Sequence, residues 1–199
     1  MTRPAPAARG RPRDPSIEER VFDAALEVYA ARGWSGFTLD AVARTAGVGN
    51  AAIYRRWTSK EELLSQAVHA NALELRESDT GSSRDDLLEL ARHFLLGYHV
   101  RAGVAGLRMA LDARTNPQLA EVFEAGRDGV RRTRALAVVR RALQRGDLRA
   151  GLTAGTALDV LAGATLSHVL YSPRSTGDHG TATPSEERFL ERLVDGLLA

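Results

Sequence analysis

Between Phe37 and Lys60 the chain reads FTLDAVARTAGVGNAAIYRRWTSK, and here residue types and spacing could do chemistry. Ala43 is followed four positions later by Gly47, and Ile53 comes six after that. Such spacing suits two short helices joined by a tight turn, the second crossing close over the small Ala43. Gly47 falls where the first helix must stop, a place that favours a positive φ. Val48 and Ile53 bury the back of the second helix, which leaves Asn50, Ala51, Tyr54 and Arg55 on its open side. A helix presented this way fits the major groove of duplex DNA, roughly 12 Å wide.

The flanking sequence supplies the elements that must hold this unit. Arg/Pro/Ala-rich residues 1–15 read as a basic arm. Ser16-Ile17-Glu18-Glu19 has the form of a capping box, and Ile17, Val21, Ala24 and Val28 then line one helical face. Gly33 is a plausible stop for that helix. Thr38 can cap the next, whose face carries Leu39, Val42, Ala43 and Ala46. Thr58 and Ser59 can each cap a further helix over about 59–76, with Glu61 or Glu62 completing a box. Beyond the polar break at 77–83 only helical periodicity is found, over about 84–100, 103–114, 117–145, 153–171 and 185–198. No segment alternates with period two over a strand's length, and no repeat of 20–50 residues is present. The expected fold is all-α with about nine helices. A three-helix helix-turn-helix domain at 16–60 precedes a larger helical bundle at 61–199.

Composition is consistent with this plan. The 199 residues are 44% hydrophobic and 26% charged, which is ordinary for a globular chain. Cysteine is absent, excluding disulfide scaffolds, zinc fingers and thiol nucleophiles. No apolar run approaches the ~18 residues of a membrane span, and the arm lacks the apolar stretch of a secretory signal. A cytoplasmic protein without a membrane partner is expected. Residues 1–60 carry ten basic against six acidic groups, whereas the remainder carries 17 against 19. A basic first third on a mildly acidic body points to a polyanion at the N-terminal end.

The combination of Thr38, Ala46-Gly47-Val48, Ile53-Tyr54, Trp57 and Lys60 resembles the DNA-binding domain of the TetR family of transcriptional regulators, over about residues 16–68. The remainder is similar to the family in helix number, length and order. The resemblance implies that Thr38, Tyr54 and Lys60 contact phosphates and set register, Lys60 from a helix N-terminus that itself favours phosphate. It implies that Asn50 reads adenine N6/N7 and Arg55 guanine O6/N7, each at roughly 1–3 kcal/mol of discrimination. Ala51 and Ala52 leave room for a thymine methyl, Arg56 reaches a phosphate, and Arg44 and Gly49 complete the DNA-facing set. Asp40 departs from family members that carry a basic residue there. Its expected role is a favourable charge on its own helix N-terminus. In the arm, Arg9-Gly10-Arg11-Pro12-Arg13 resembles the core of an AT-hook, which lays arginines such as Arg9, Arg11 and Arg13 in a narrow minor groove.

Catalysis is not expected, and no cofactor is implied. Gly47-Val48-Gly49-Asn50-Ala51-Ala52 fits a dinucleotide-binding fingerprint but follows a capped helix instead of a strand. His93 and His99 are six apart and point different ways around a helix. Trp34 and Trp57 read as core residues. A regulatory pocket between helices of the body is expected, with Phe94, Tyr98, Met109, Asp112, Phe123 and His168 as candidate lining for a small-molecule effector of unidentified nature. By resemblance, 153–171 and 185–198 form a homodimer interface, and Gly155, Ala157, Ala162, Gly163 and Ala164 keep the first of these slim. The sequence thus reads as a ligand-responsive repressor on a palindromic operator. An architectural DNA-binding protein without effector, or an all-α small-molecule binder or enzyme, are the competing readings.

Overall fold

The computed structural model describes residues 15–71, 73–75, 78–125, 128–172 and 180–199, with the side chains of 15 and 122–131 left out. Its helices are α1 (Pro15–Gly36), α2 (Leu39–Ala46), α3 (Asn50–Tyr54), α4 (Lys60–Asn71) and α5 (Ser83–His99). They continue as α6 (Arg101–Ala113), α7 (Pro117–Ala125), α8 (Asp128–Arg145), α9 (Ala154–Tyr171) and α10 (Pro184–Asp195). Among the described residues there is no strand, only an isolated bridge between Leu148 and Leu198.

Two cores organise these helices. The first gathers Val21, Leu26 and Tyr29 of α1, Val42 and Ala43 of α2, Ile53 of α3 and Leu63 and Leu64 of α4. Ala102, Ala105 and Met109 of α6 and Leu119 of α7 complete it. The second gathers Leu87 and Leu95 of α5, Val138 and Val139 of α8, Leu158 and Leu161 of α9 and Leu190 and Val194 of α10. Helix α6 therefore follows α5 in the chain yet packs its apolar face against the N-terminal unit.

This division explains where the helices depart from the periodicity. Of the continuous pattern over 117–145, helix is described over 117–125 and 128–145. Leu119 of α7 belongs to the first core and Ala135, Val138 and Ala142 of α8 to the second. Helix α4 ends at Asn71 instead of about 76. Leu75 is buried in the second core, so the chain must leave the axis on which α4 packs against α1. Helix α10 ends at Asp195, because the last residues peel away to pair with the segment after α8. There the Arg149 N–H donates to Leu197 O at 2.9 Å and the Ala199 N–H to Asp147 O at 2.9 Å.

The capping differs from expectation at α1, which begins at Pro15 and so takes Ser16 into its first turn; at α4, α9 and α10 side-chain caps are formed. Thr183 and Glu186 form a reciprocal capping box at α10, with Pro184 in the first turn. Thr153 Oγ accepts from the Thr156 N–H at the start of α9. At α4 it is Ser59 that caps, its Oγ accepting from the Glu62 N–H at 3.1 Å. Glu62 reaches one residue further back, to the Thr58 N–H and hydroxyl at 3.0 and 2.7 Å. Those bonds hold its carboxyl below the ordinary carboxylate range.

Candidate nucleic-acid interface

Helix α2 begins at Thr38, whose extended backbone and Oγ, accepting from the Ala41 N–H at 3.1 Å, make the expected cap. It ends at Gly47, where φ is 65° and the N–H of Val48 closes the turn on Ala43 O at 3.0 Å. A Cβ at Gly47 would meet nothing within 4 Å, so it is the left-handed backbone, not crowding, that calls for glycine. The turn delivers α3 across α2 with Ile53 fully buried against Val42, Ala43 and the α1 core. That burial fixes which face of so short a helix is free.

The free face carries Gly49, Asn50, Ala51, Tyr54 and Arg55, all exposed, with Tyr54 56% so; Ala52 and Arg56 are half-buried at its margins. Thr38 and Arg44 are exposed on α2. The Thr38 hydroxyl accepts at the cap and still has its own hydrogen to donate. Lys60 is half-buried at the start of α4, its Nζ 3.8 Å from the centre of the Trp34 ring and donating to Trp34 O at 3.2 Å. An ammonium carries three donors, so this seat holds the charge in place without exhausting it. Trp34 itself stacks on Phe37, their ring centres 6.3 Å apart. Trp57 lies in the core against Phe22 at 5.9 Å, with Nε1 donating to Gln66 Oε1 at 2.8 Å. Arg9, Arg11 and Arg13 lie outside the described residues.

One acidic side chain enters the face. Asp40 Oδ1 accepts from Asn50 Nδ2 at 2.8 Å and from the Tyr54 hydroxyl at 3.3 Å. Asp40 is in the first turn of α2, as its charge suits, but its carboxylate also spans to the neighbouring helix. The charge of Asp40, with some burial and the hydrogen bond, pushes the Tyr54 phenol above its ordinary value. Nothing in the local pattern signals this contact, since the partners are ten and fourteen residues away.

The described candidate pocket residues have different surroundings. Met109 is buried in the first core, and Asp112 accepts from the Tyr29 hydroxyl at 2.6 Å. Burial, with the Asp112 bond and charge, drives the Tyr29 phenol strongly upward. Phe94 packs against the second core, and Tyr98 is half-buried one turn later on α5. His168 stacks on Phe189 of α10 at 3.9 Å between ring centres. The side chain of Phe123 lies outside the described residues. A polar recess of about 370 Å³ between the start of α5 and the C-terminus, lined by residues such as Ser82, Arg84, Asp147 and Ala199, includes none of the six. No cluster of metal-ligating side chains occurs among the described residues, and none of their helices is long and apolar enough to cross a membrane.

A short helix held out over a buried back, after a glycine turn, is the geometry of a helix-turn-helix unit. Residues 21–67 match the family described as bacterial regulatory proteins, tetR family, and residues 77–197 match the tetracyclin repressor-like C-terminal domain. The helix-turn-helix transcriptional regulator Mb1581 of Mycobacterium bovis is 30% identical, covering 94% of this chain and 91% of its own length. YdeS of Bacillus subtilis, a regulator of the same type, is 28% identical over 85% of this chain and 84% of its own. The repressor MexZ of Pseudomonas aeruginosa shares the fold, with a TM-score of 0.69 at 20% identity over 94% of this chain and 96% of that one. The chain belongs to the TetR family and is a DNA-binding transcriptional regulator.

Proposed function

We propose that this regulator is a cytoplasmic, homodimeric repressor which reads a palindromic operator through α3 and is released by a small molecule held in the body, with no catalytic role. The observation that carries the reading is the exposed Asn50–Arg55 face over a fully buried Ile53. Asn50, Arg55 and the two alanines meet base edges there, while Thr38, Arg44, Tyr54, Arg56 and Lys60 meet phosphates. The unit to residue 60 binds DNA, and the chain from 61 onward, beginning with α4, regulates.

Two further observations support the regulatory half. Helix α6 touches the N-terminal unit through the Tyr29–Asp112 bond and through Arg108, whose Nη1 donates to Ala30 O at 3.2 Å. A ligand that shifts α6 thereby shifts α1, and a hundredfold loss of operator affinity requires about 2.7 kcal/mol of differential binding between the two states. On α9, Val160, Gly163, Leu170 and Tyr171 expose a largely apolar stripe, and Tyr171 is 87% exposed. A second copy of α9 and α10 would cover it, placing two recognition helices for half-sites on one operator. The test is the triple variant Asn50→Ala, Tyr54→Ala, Arg55→Ala. It should lose duplex binding while melting like the parent chain; retention of full binding would sink the reading.

A further inference from the structure

The recognition face contains a negative charge in a place where general affinity for a polyanion would exclude one. Asn50 and Tyr54 are four residues apart and share a face of α3, and both donate to the same oxygen, Asp40 Oδ1. A carboxylate can only accept. The Asn50 amide nitrogen must therefore face Asp40, which leaves the amide carbonyl and its second N–H to act together elsewhere. The phenol of Tyr54 has a single hydrogen, and here it points at Asp40. Phosphate oxygens also only accept, so Tyr54 can donate to a phosphate only by turning its hydrogen away from Asp40.

We propose that Asp40 is a specificity-determining positioning residue. It holds Asn50 in one orientation, ready to present a paired acceptor and donor to one base, and withholds the Tyr54 hydrogen from indiscriminate phosphate contact. Its charge raises the cost of any duplex that does not repay the displacement through base contacts. Asp40 thus lowers affinity for all DNA and raises discrimination between sequences. The inference rests on α3 being the helix that enters the groove.

Equilibrium binding to the duplex that the parent chain enriches most from a random pool, and to a scrambled duplex, tests it. Asp40→Asn keeps the shape and removes the charge. It should bind the scrambled duplex roughly fivefold tighter, the scale of one exposed charge interaction, and lower the preferred-to-scrambled ratio, with selectivity lost at the base pair that Asn50→Ala also relaxes. In a double-mutant cycle, Asp40→Asn should cost no further selectivity at that base pair once Asn50 is Ala. An unchanged ratio, or two additive losses, overturns the inference while leaving the role of α3 intact. A parent chain that does not distinguish the two duplexes overturns the role of α3 and the inference with it.

Discussion

Arg55 and Lys60 carry the same charge, yet their settings give them different work. Arg55 is exposed on the free face of α3, whereas Lys60 is seated over Trp34 at the start of α4. Arg55→Ala should relax selectivity at one base pair by roughly 1–3 kcal/mol, read as relative affinities for single-base variants of the bound duplex. Lys60→Gln should weaken every duplex alike and flatten the salt dependence by about one phosphate contact. Equal, uniform losses in both variants would contradict the division. The free-face residues were legible because Ile53, Val48 and Gly47 fix the orientation of so short a helix from local spacing alone. Asp40 and Trp34 were not legible as parts of the face. Their bonds to Asn50, Tyr54 and Lys60 join separate helices, and no periodicity within one element encodes such a pairing.

At the scale of elements, the turn and the α4–α5 link make separate demands. Gly47→Ala places a Cβ in open space at φ 65°, so it should cost only the left-handed backbone strain, about 1–2 kcal/mol, in denaturant unfolding. A loss far above that would mean the turn is crowded after all. In the link, Thr80 N–H and hydroxyl both donate to Asp86 Oδ1 at 2.8 Å, and Arg145 Nη1 donates to Oδ2 at 3.2 Å. Burial pushes the Asp86 carboxyl up, but these bonds outweigh it and hold it below the ordinary value. A depressed carboxylate contributes stability above its unfolded value near 4, and loses it as pH falls through its folded one. Asp86→Asn should therefore be destabilised at pH 7 by about 1–3 kcal/mol and show less acid-induced loss than the parent. An unchanged acid profile would contradict this account of the link. The caps of α2 and α4 could be read directly, since each depends on residues three or four apart. The early end of α4 depends on Leu75 entering the second core, a choice made by tertiary packing.

The whole molecule joins a net-basic helix-turn-helix end to a body whose α6 is shared with the first core. All-α architecture and the position of the helix-turn-helix follow from sequence, because helical periodicity persists along the chain and the glycine turn and buried-face spacing of the unit are local. Pocket candidates are harder to read from sequence: Met109 lies in the first core and Phe94 packs against the second, where bulk and polarisability serve packing as well as binding. Dimerisation makes its own prediction. Gly163 on α9 has nothing within 4 Å of an added Cβ, so Gly163→Arg fits the single chain and would obstruct only a facing copy. Sedimentation should then show monomers with the parent's helical content, and a persistent dimer would place the interface elsewhere. On the proposed function, α3 reads sequence in a paired molecule. Selecting random duplexes on the purified chain at near-physiological salt, then sequencing the survivors, tests that most directly. A palindrome whose half-sites lie about one helical turn, or a multiple of it, apart is the expected result. Enrichment of A·T-rich DNA without symmetry, or of nothing, would contradict it.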